Sequence, residues 1–206
     1  GWWSSEAGSL TLRVVGDGLL NGSSHSVWFV LDNGASAQAS PDISIRATVN
    51  SSTRPADGQG VLQAMVKPGT AALGVSLGSD PLLVHVPSFT VKTIVQSSPL
   101  ANASNVVSVT LAADCDILGG SNITVSGLTG SRTASTSTLG VTSTSNWTGG
   151  QGSWSQDDGT LVLSVGKAGL SNGSAYAVSF EVRNRGEKQE SPSVSVSGMI
   201  GSAYGL

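Results

Sequence analysis

Charged side chains are scarce in this chain. Only 11% of its 206 residues are Asp, Glu, Lys or Arg, and the formal net charge is −3. A chain without a basic excess does not attract the phosphates of nucleic acid or the anionic surface of a membrane. We therefore expect neither nucleic acid nor a membrane among its partners. Ser and Thr account for 52 residues, and we expect hydroxyl groups, attached sugar or burial in an assembly to keep the protein in solution.

Long apolar runs and targeting signals are also missing. No run approaches the roughly 18 apolar residues that a membrane helix requires. The chain lacks an initiator Met, and no charged stretch followed by an apolar core lies at its N-terminus. We therefore interpret Gly1 as the start of a processed or partial chain, and we predict no membrane insertion.

Cysteine and histidine are almost absent. Cys115 is the single cysteine, so no intrachain disulfide can form; the side chain can pack as a small apolar group or bridge to another chain. His25 and His85 lie far apart in sequence, and no His-X-His or paired-cysteine spacing occurs. The sequence therefore predicts no transition-metal site and no cofactor.

Two acidic clusters are candidate calcium ligands. Asp114 and Asp116 flank Cys115, and Asp157 and Asp158 precede a glycine. Calcium takes six to eight oxygen ligands, so the two clusters would have to meet in the fold. Asp and Gly are also ordinary turn formers, and we favour solvated turns.

Residues arranged for catalysis are likewise missing. The carboxylates on both sides of Cys115 disfavour its thiolate, which argues against a nucleophilic role. Serines are abundant, but the Gly-X-Ser-X-Gly pattern of a strand-to-helix nucleophile does not occur. The sequence therefore predicts that the protein is not an enzyme.

Alternation of apolar and polar residues dominates the chain, and helical periodicity is absent. The clearest alternating runs are Val107, Val109 and Leu111; Leu161, Leu163 and Val165; and Val178, Phe180 and Val182. Shorter apolar runs lie at residues 61–66, 73–77 and 82–86, whereas the Ser/Thr-rich residues 130–145 are predicted to be a loop or edge meander. About a dozen such runs, separated by Asn-Gly, Gly-Gly and Pro, predict an all-β protein of antiparallel strands.

The chain contains an internal duplication. Residues 1–47 recur without a gap as residues 152–198, at an offset of 151. The matched pairs include Trp3 with Trp154, Leu10 with Leu161, Leu12 with Leu163, Val14 with Val165, and Phe29 with Phe180. The strand-rich residues 89–151 precede the second copy and have no counterpart before the first. We therefore predict a complete immunoglobulin-like module in residues 89–206 and a partial module plus an insert in residues 1–88.

A partial module leaves a sheet edge and an apolar face uncovered, and uncovered edges pair with other chains. The N-terminal residues 1–15 are the most suitable donated strand, because they combine two adjacent tryptophans with strict apolar alternation. The predicted assembly residues are Trp2, Trp3, Leu10, Leu12 and Val14.

Acceptor motifs for N-linked sugar are frequent. Six of the nine asparagines begin an Asn-X-Ser/Thr triplet: Asn21, Asn50, Asn102, Asn122, Asn146 and Asn172. Chance would place about two such triplets in a chain of this composition, so the excess favours a secreted glycoprotein. We expect sugar on the loop positions Asn50, Asn102 or Asn146.

The segment LAADCDILGGSNITVSGLTGSRTASTSTLGV, followed by WSQDDGTLVLSVGKAGLSNGSAYAVSFEVRN and SPSVSVS, resembles the immunoglobulin-like repeats of large extracellular proteins of algae and related protists. It also resembles the protomers of freshwater extracellular fibrils that assemble by donor-strand exchange. The resemblance covers the second module and, through the duplication, residues 1–47. It implies two immunoglobulin-like antiparallel β-sandwiches, the first incomplete within one chain, and a structural role.

These features together predict the protomer of an extracellular helical filament, whose partners are identical protomers joined by strand complementation. The alternative is a cell-surface carbohydrate-binding or adhesion module, in which exposed tryptophans would stack on sugar rings.

Overall fold

The computed structural model of the chain describes residues 1–16, 18–20, 22–48, 60 and 62–199. These residues form two compact units, Gly1–Asn33 and Gly34–Leu206. Strands and irregular segments make up the described chain, apart from a single 3-10 turn at Thr144–Asn146. The prediction of an all-β protein is therefore confirmed. None of the described residues forms a helix with the length and apolar character needed to cross a membrane.

The first unit contains one antiparallel hairpin. Its strands are β1 (Trp2–Ser4) and β2 (Ser9–Thr11), and Trp3 lies opposite Leu10 in the register. The turn between them ends at Gly8, whose φ of +56° suits glycine. The described residues that follow β2 in this unit form no strand.

The second unit contains a short two-stranded ladder and one sheet of eight strands. The ladder joins β3 (Ser44–Ile45) to β4 (Gln63–Ala64). The sheet consists of β5 (Phe89–Gln96), β6 (Ser104–Ala113), β7 (Asn122–Ser126), β8 (Thr136–Ser143), β9 (Gln151–Ser155), β10 (Thr160–Ser164), β11 (Tyr176–Arg183) and β12 (Ser195–Met199). Its order is β12-β7-β10-β9-β8-β11-β6-β5, and all of the pairings are antiparallel.

The eight-stranded sheet folds over so that its two halves enclose one core. Alternate side chains of β6 and β11 meet alternate side chains of β7 and β10 in a single buried cluster. Since successive residues of a strand point to opposite faces, the apolar alternation in the sequence produces this one-sided burial. Trp154 of β9 is buried in the same cluster, and its indole N–H donates to the carbonyl oxygen of Thr133 at 2.9 Å.

The strand β8 connects the two halves, because it pairs with β9 on one side and with β11 on the other. It lies inside the Ser/Thr-rich residues 130–145, so the prediction of a loop or edge meander was wrong for residues 136–143, whereas residues 130–135 form no strand. Thr suits an extended strand, and Leu139 and Val141 are enough to anchor β8 to the core.

The strand order differs from that of an immunoglobulin domain. In those domains the last strand adjoins the strand before it in the smaller sheet. Here the last described strand, β12, adjoins β7. The second unit is built on one nearly closed antiparallel sheet of eight strands, and the immunoglobulin-like sandwich stays a prediction.

The insert lies against the eight-stranded sheet. The backbone N–H of Asp116 donates to the carbonyl oxygen of Leu73 at 2.8 Å, and the Asn172 side chain donates to that of Gly74 at 2.7 Å. Leu73, Leu77 and Leu82 have positive φ angles. Residues 73–77 lie in turns around an isolated bridge at Val75, and within residues 82–86 only Val84 makes a bridge, to Gln38, so neither apolar run forms the strand that the pattern predicted. These contacts place the described part of the insert in the second unit.

Asp114 ties the end of the insert to the end of β6. Its Oδ1 accepts the Ser88 backbone N–H at 2.8 Å and lies 3.1 Å from His85 Nε2, and its Oδ2 accepts the Ser88 hydroxyl at 2.6 Å. Burial opposes ionisation of this carboxyl group. The hydrogen bonds from Ser88 and His85 and the charge of His85 outweigh burial, so the pKa of Asp114 is lowered to about 2.

The duplication is visible in the strand register. Trp3 pairs with Leu10 in the first copy, and Trp154 pairs with Leu161 in the second. Both pairs differ by the sequence offset of 151, so the hairpin β1–β2 repeats the hairpin β9–β10. The two copies therefore share the structure of this hairpin. In the second copy β7 and β8 pair with its outer edges, whereas among the described residues β1 and β2 pair only with each other.

We predict that equivalent leucines in the two copies contribute unequally to stability. Leu163→Ala removes a fully buried side chain and should lower the free energy of unfolding by about 2–5 kcal/mol. Leu12→Ala, at the equivalent exposed position, should change it by less than about 0.5 kcal/mol in dilute, unassembled protein. Urea unfolding measures both changes, and equal losses would mean that the first copy is covered as well as the second.

We also predict that Asp114 contributes stability at neutral pH that is lost in acid. A pKa lowered by folding stabilises the folded state above the ordinary pKa of Asp, and the contribution disappears as pH falls from about 5 towards 2. Asp114→Asn should therefore unfold more easily than the wild type at pH 7, with the difference shrinking through this window. Asp157→Asn, on an exposed turn, is the control. Urea unfolding in metal-free buffer at several pH values measures the effect, and a difference independent of pH would contradict it.

Candidate functional site

The first copy of the duplicated segment exposes the side chains that form the core in the second copy. Leu12, Val14, Val27 and Phe29 are 49%, 52%, 56% and 56% exposed, whereas their counterparts Leu163, Val165, Val178 and Phe180 are 0%, 3%, 1% and 2% exposed. We call the side chains of Trp3, Leu10, Leu12, Val14, Val27 and Phe29 the uncovered core face. Apolar surface of this extent is typical of a surface that binds another protein.

The backbone of the first copy is also incompletely paired. In the second copy, β10 lies between β7 and β9, and β11 lies between β6 and β8. The counterpart of β10 is β2, which pairs only with β1 among the described residues. The counterpart of β11 is residues 25–32, which form no ladder. Both segments therefore present N–H and C=O groups that could pair with strands from another chain.

Of the predicted assembly residues, Trp2, Trp3 and Leu10 lie on the hairpin β1–β2, and Leu12 and Val14 follow it along the chain. All of them except Trp2 belong to the uncovered core face. Residues 1–15 contain two strands and a turn, where the sequence predicted one donated strand. Their counterpart in the second copy is the hairpin β9–β10, so a hairpin at this place follows from the duplication.

Trp2 and Trp28 have a different environment from Trp3. Trp2 is 65% exposed and Trp28 is 86% exposed. Their counterparts in the second copy are Ser153 and Ser179, whereas the counterpart of Trp3 is the buried Trp154. Both tryptophans therefore occupy positions that the second copy fills with serine, and they are candidates for a contact separate from the uncovered core face.

The second unit has an open seam between its two outermost strands, β5 and β12. Among the described residues, β5 pairs only with β6, and β12 pairs only with β7. Phe89 on β5 approaches Gly198 on β12, where a Cβ atom would lie 3.4 Å from the ring. The two ends of the sheet therefore come near each other without forming a ladder.

Two cavities lie along the open seam. One of about 440 Å³ is lined by Ile94 of β5, Val194 before β12, and the core residues Val107 and Phe180. The other, of about 310 Å³, lies beside Phe89 and Val196. An apolar floor beside an unpaired strand edge is the arrangement that binds an extended peptide.

Asn105 fixes one end of the open seam. The side chain is buried, and its oxygen accepts the backbone N–H groups of Ser97 and Ser98, each at 3.1 Å. Its amide nitrogen donates to Gln96 at 2.9 Å and to Asn184 at 2.8 Å. Because every polar atom of this buried side chain has a partner, the turn after β5 is held in one conformation.

The N-glycosylation acceptors differ in whether the side-chain amide nitrogen, which is the atom that carries a glycan, already donates a hydrogen bond. Asn102 and Asn122 are exposed, and each uses its oxygen as an acceptor, from Arg132 at 2.6 Å and from Ser164 at 3.0 Å. Asn172 already donates its nitrogen to the insert. Asn21 and Asn50 lie outside the described residues, as does the side chain of Asn146.

The structure groups the candidate metal ligands differently from the sequence analysis, which considered two pairs of aspartates as calcium ligands. Among the described residues, His85, Asp114 and Cys115 form the one group that could hold a metal ion. The second acidic pair stays in its own turn, where Asp158 accepts the Ser155 hydroxyl at 2.8 Å. The two acidic clusters therefore do not combine into a calcium site in the described structure.

Cys115 is buried, as expected for a small apolar side chain. Burial raises the pKa of its thiol, and the charges of Asp114 and Asp116 raise it further. The expectation that these carboxylates disfavour the thiolate is confirmed.

Comparison with known protein families, curated protein sequences and solved structures gives no match to this chain. The function is therefore inferred from the uncovered core face and the open seam.

Proposed function

We propose that this protein is the structural protomer of an extracellular helical filament that assembles by strand complementation between identical chains. The observation that carries the proposal is the uncovered core face. Its side chains match a buried core residue by residue, yet all of them except the half-buried Leu10 lie exposed in the single chain.

Covering this face supplies the driving force for assembly. Full burial of one large aliphatic side chain is worth about 1.5–3 kcal/mol. Four side chains that are about half exposed in the single chain supply about 3–6 kcal/mol on burial, which offsets part of the roughly 4–15 kcal/mol that association costs in lost rotational and translational freedom. Pairing of β2 and residues 25–32 with strands of a neighbour adds backbone hydrogen bonds and fixes the register.

The accepting element in this proposal is the open seam. The strand β5 has eight residues and an unpaired outer edge, and Val91, Ile94 and Val95 are exposed on it. A strand from residues 1–15 of a neighbouring chain pairs with this edge, and its alternate side chains enter the cavities. Donor and acceptor are different surfaces, so contact between copies is head-to-tail and propagates as a helical filament when it does not close into a ring.

We predict that a charge on the uncovered core face abolishes filaments. Leu12→Asp or Phe29→Asp would place an unpaired carboxylate in a surface that becomes buried, at a cost of several kcal/mol. Thr11→Asp adds the same charge at the last residue of β2, which alternates with Leu10 on that strand and so points away from the face of Leu10, and it should leave assembly intact. Negative-stain electron microscopy and light scattering at micromolar concentration measure the outcome, with the fold checked by circular dichroism. Filaments of normal length from both core-face variants would refute the proposal.

The alternative function is a carbohydrate-binding or adhesion module, and Trp2 and Trp28 favour it. Both are highly exposed, and indole rings stack on sugar rings. A protein of this kind stays monomeric at micromolar concentration. Its binding to a glycan array should be lost in Trp28→Ala and unchanged in Leu12→Asp, so the two functions give opposite patterns.

We further propose that the filament carries N-linked sugar. Asn102 is the acceptor best placed for it among those that the structure describes, because it is exposed on a turn and its nitrogen is free to carry a glycan.

We predict that mapping of peptides from the native protein before and after enzymatic deglycosylation finds sugar on Asn102. We expect Asn172 to be unmodified, because its nitrogen donates to Gly74. Unmodified asparagine at all six acceptors would contradict both the glycosylation and the secreted origin.

A further inference from the structure

We propose that His85, Asp114 and Cys115 form a binding site for a zinc ion. The nitrogen, oxygen and sulfur atoms of the three side chains all lie within 4.8 Å of one another. His85 Nε2 and Asp114 Oδ1 are 3.1 Å apart. The site lies where the end of the insert meets the end of β6, and none of its three residues belongs to the uncovered core face.

The spacing suits tetrahedral coordination. Zinc binds nitrogen and oxygen at about 2.0–2.1 Å and sulfur at about 2.3 Å, which separates tetrahedral ligands by about 3.3–3.5 Å. The His85 to Asp114 distance of 3.1 Å is already close to this value. The sulfur lies within 4.8 Å of the other two ligand atoms, so each of its distances needs to shorten by about 1.3 Å at most. Three protein ligands leave the fourth position for water, which can enter from the exposed side at His85.

The surroundings orient the ligands. Ser88 donates two hydrogen bonds to the carboxylate of Asp114, one from its backbone and one from its hydroxyl group. Hydrogen bonds of this kind fix the direction of a metal ligand and strengthen binding. The chain before His85 is held by two backbone hydrogen bonds between Val84 and Gln38, and the nitrogen-to-oxygen distance is 2.9 Å in both.

The donor set selects the metal class. One imidazole, one carboxylate and one thiol suit a borderline-soft cation such as zinc, whereas calcium and magnesium require oxygen ligands. Asp116 lies one residue beyond Cys115 and adds negative charge near the site. The ion would cross-link residue 85 to residues 114 and 115, which pins the start of β5 beside the open seam.

The proposal is tested with cobalt, which replaces zinc and absorbs visible light. The full chain should bind one equivalent of Co²⁺, with a thiolate-to-cobalt charge-transfer band in the near ultraviolet and intense tetrahedral bands in the visible. Addition of Zn²⁺ should remove these bands by displacing the cobalt. Cys115→Ser should abolish the charge-transfer band, and His85→Gln should raise the apparent Kd for Co²⁺ about tenfold or more. His25→Gln changes the other histidine of the chain and should leave the spectrum unchanged.

A second measurement uses stability as its readout. Zn²⁺ in excess should raise the Tm of the wild type by several degrees over that in chelator, because ligand binding stabilises the folded state. Cys115→Ser should lose this increase while keeping a cooperative transition in chelator. Absence of the charge-transfer band in the wild type, or its persistence in His85→Gln with unchanged affinity, would leave only a hydrogen bond between His85 and Asp114 and would overturn the proposal.

Discussion

The structure depends on one constraint: the apolar face of one half of the folded sheet must be covered by the other half. In the second unit, β5, β6, β8 and β11 supply one half, and β7, β9, β10 and β12 supply the other. Side chains such as Leu161 and Leu163 are fully buried as a result. The first copy has the same hairpin in the same register, and among the described residues no strand pairs with it from outside, so the same residue types lie exposed. The difference between a core and an exposed apolar face here is the presence of the opposing strands.

The sequence predicted the strands that form the core and their inward faces. Val107, Val109 and Leu111 alternate with polar residues, and they are buried as the period of two requires. The duplication was equally readable, but the sequence predicted one strand over residues 1–15, where the structure has the hairpin β1–β2. Prediction failed where strands lack apolar alternation or lack a partner. The strand β8 has few apolar residues, and residues 25–32 have the pattern of a strand but no neighbouring strand among the described residues.

The candidate metal cluster could not be predicted from spacing. His85 belongs to the insert, whereas Asp114 and Cys115 follow β6, and they meet because β5 pairs back along β6. Motif spacing detects ligands that share one local element, and these ligands come from two elements joined by a tertiary contact. The strand order of the sheet could not be predicted either, because one pattern of apolar alternation is compatible with many strand orders. The burial of Trp147, which the sequence placed in a glycosylation acceptor, also follows from the tertiary fold.

The five residues Val27, Trp28, Phe29, Val30 and Leu31 form an unbroken apolar run, whereas their counterparts include Ser179 and Glu181 on alternate positions. Alternation suits a strand with one face in water, and an unbroken apolar run suits a strand covered on both faces. The first copy therefore has the pattern of a strand that is covered on both faces, and the second copy has the pattern of a strand with one face in water. In the proposed filament, neighbouring chains would have to cover residues 27–31 on both faces, and not only on the face of Val27 and Phe29.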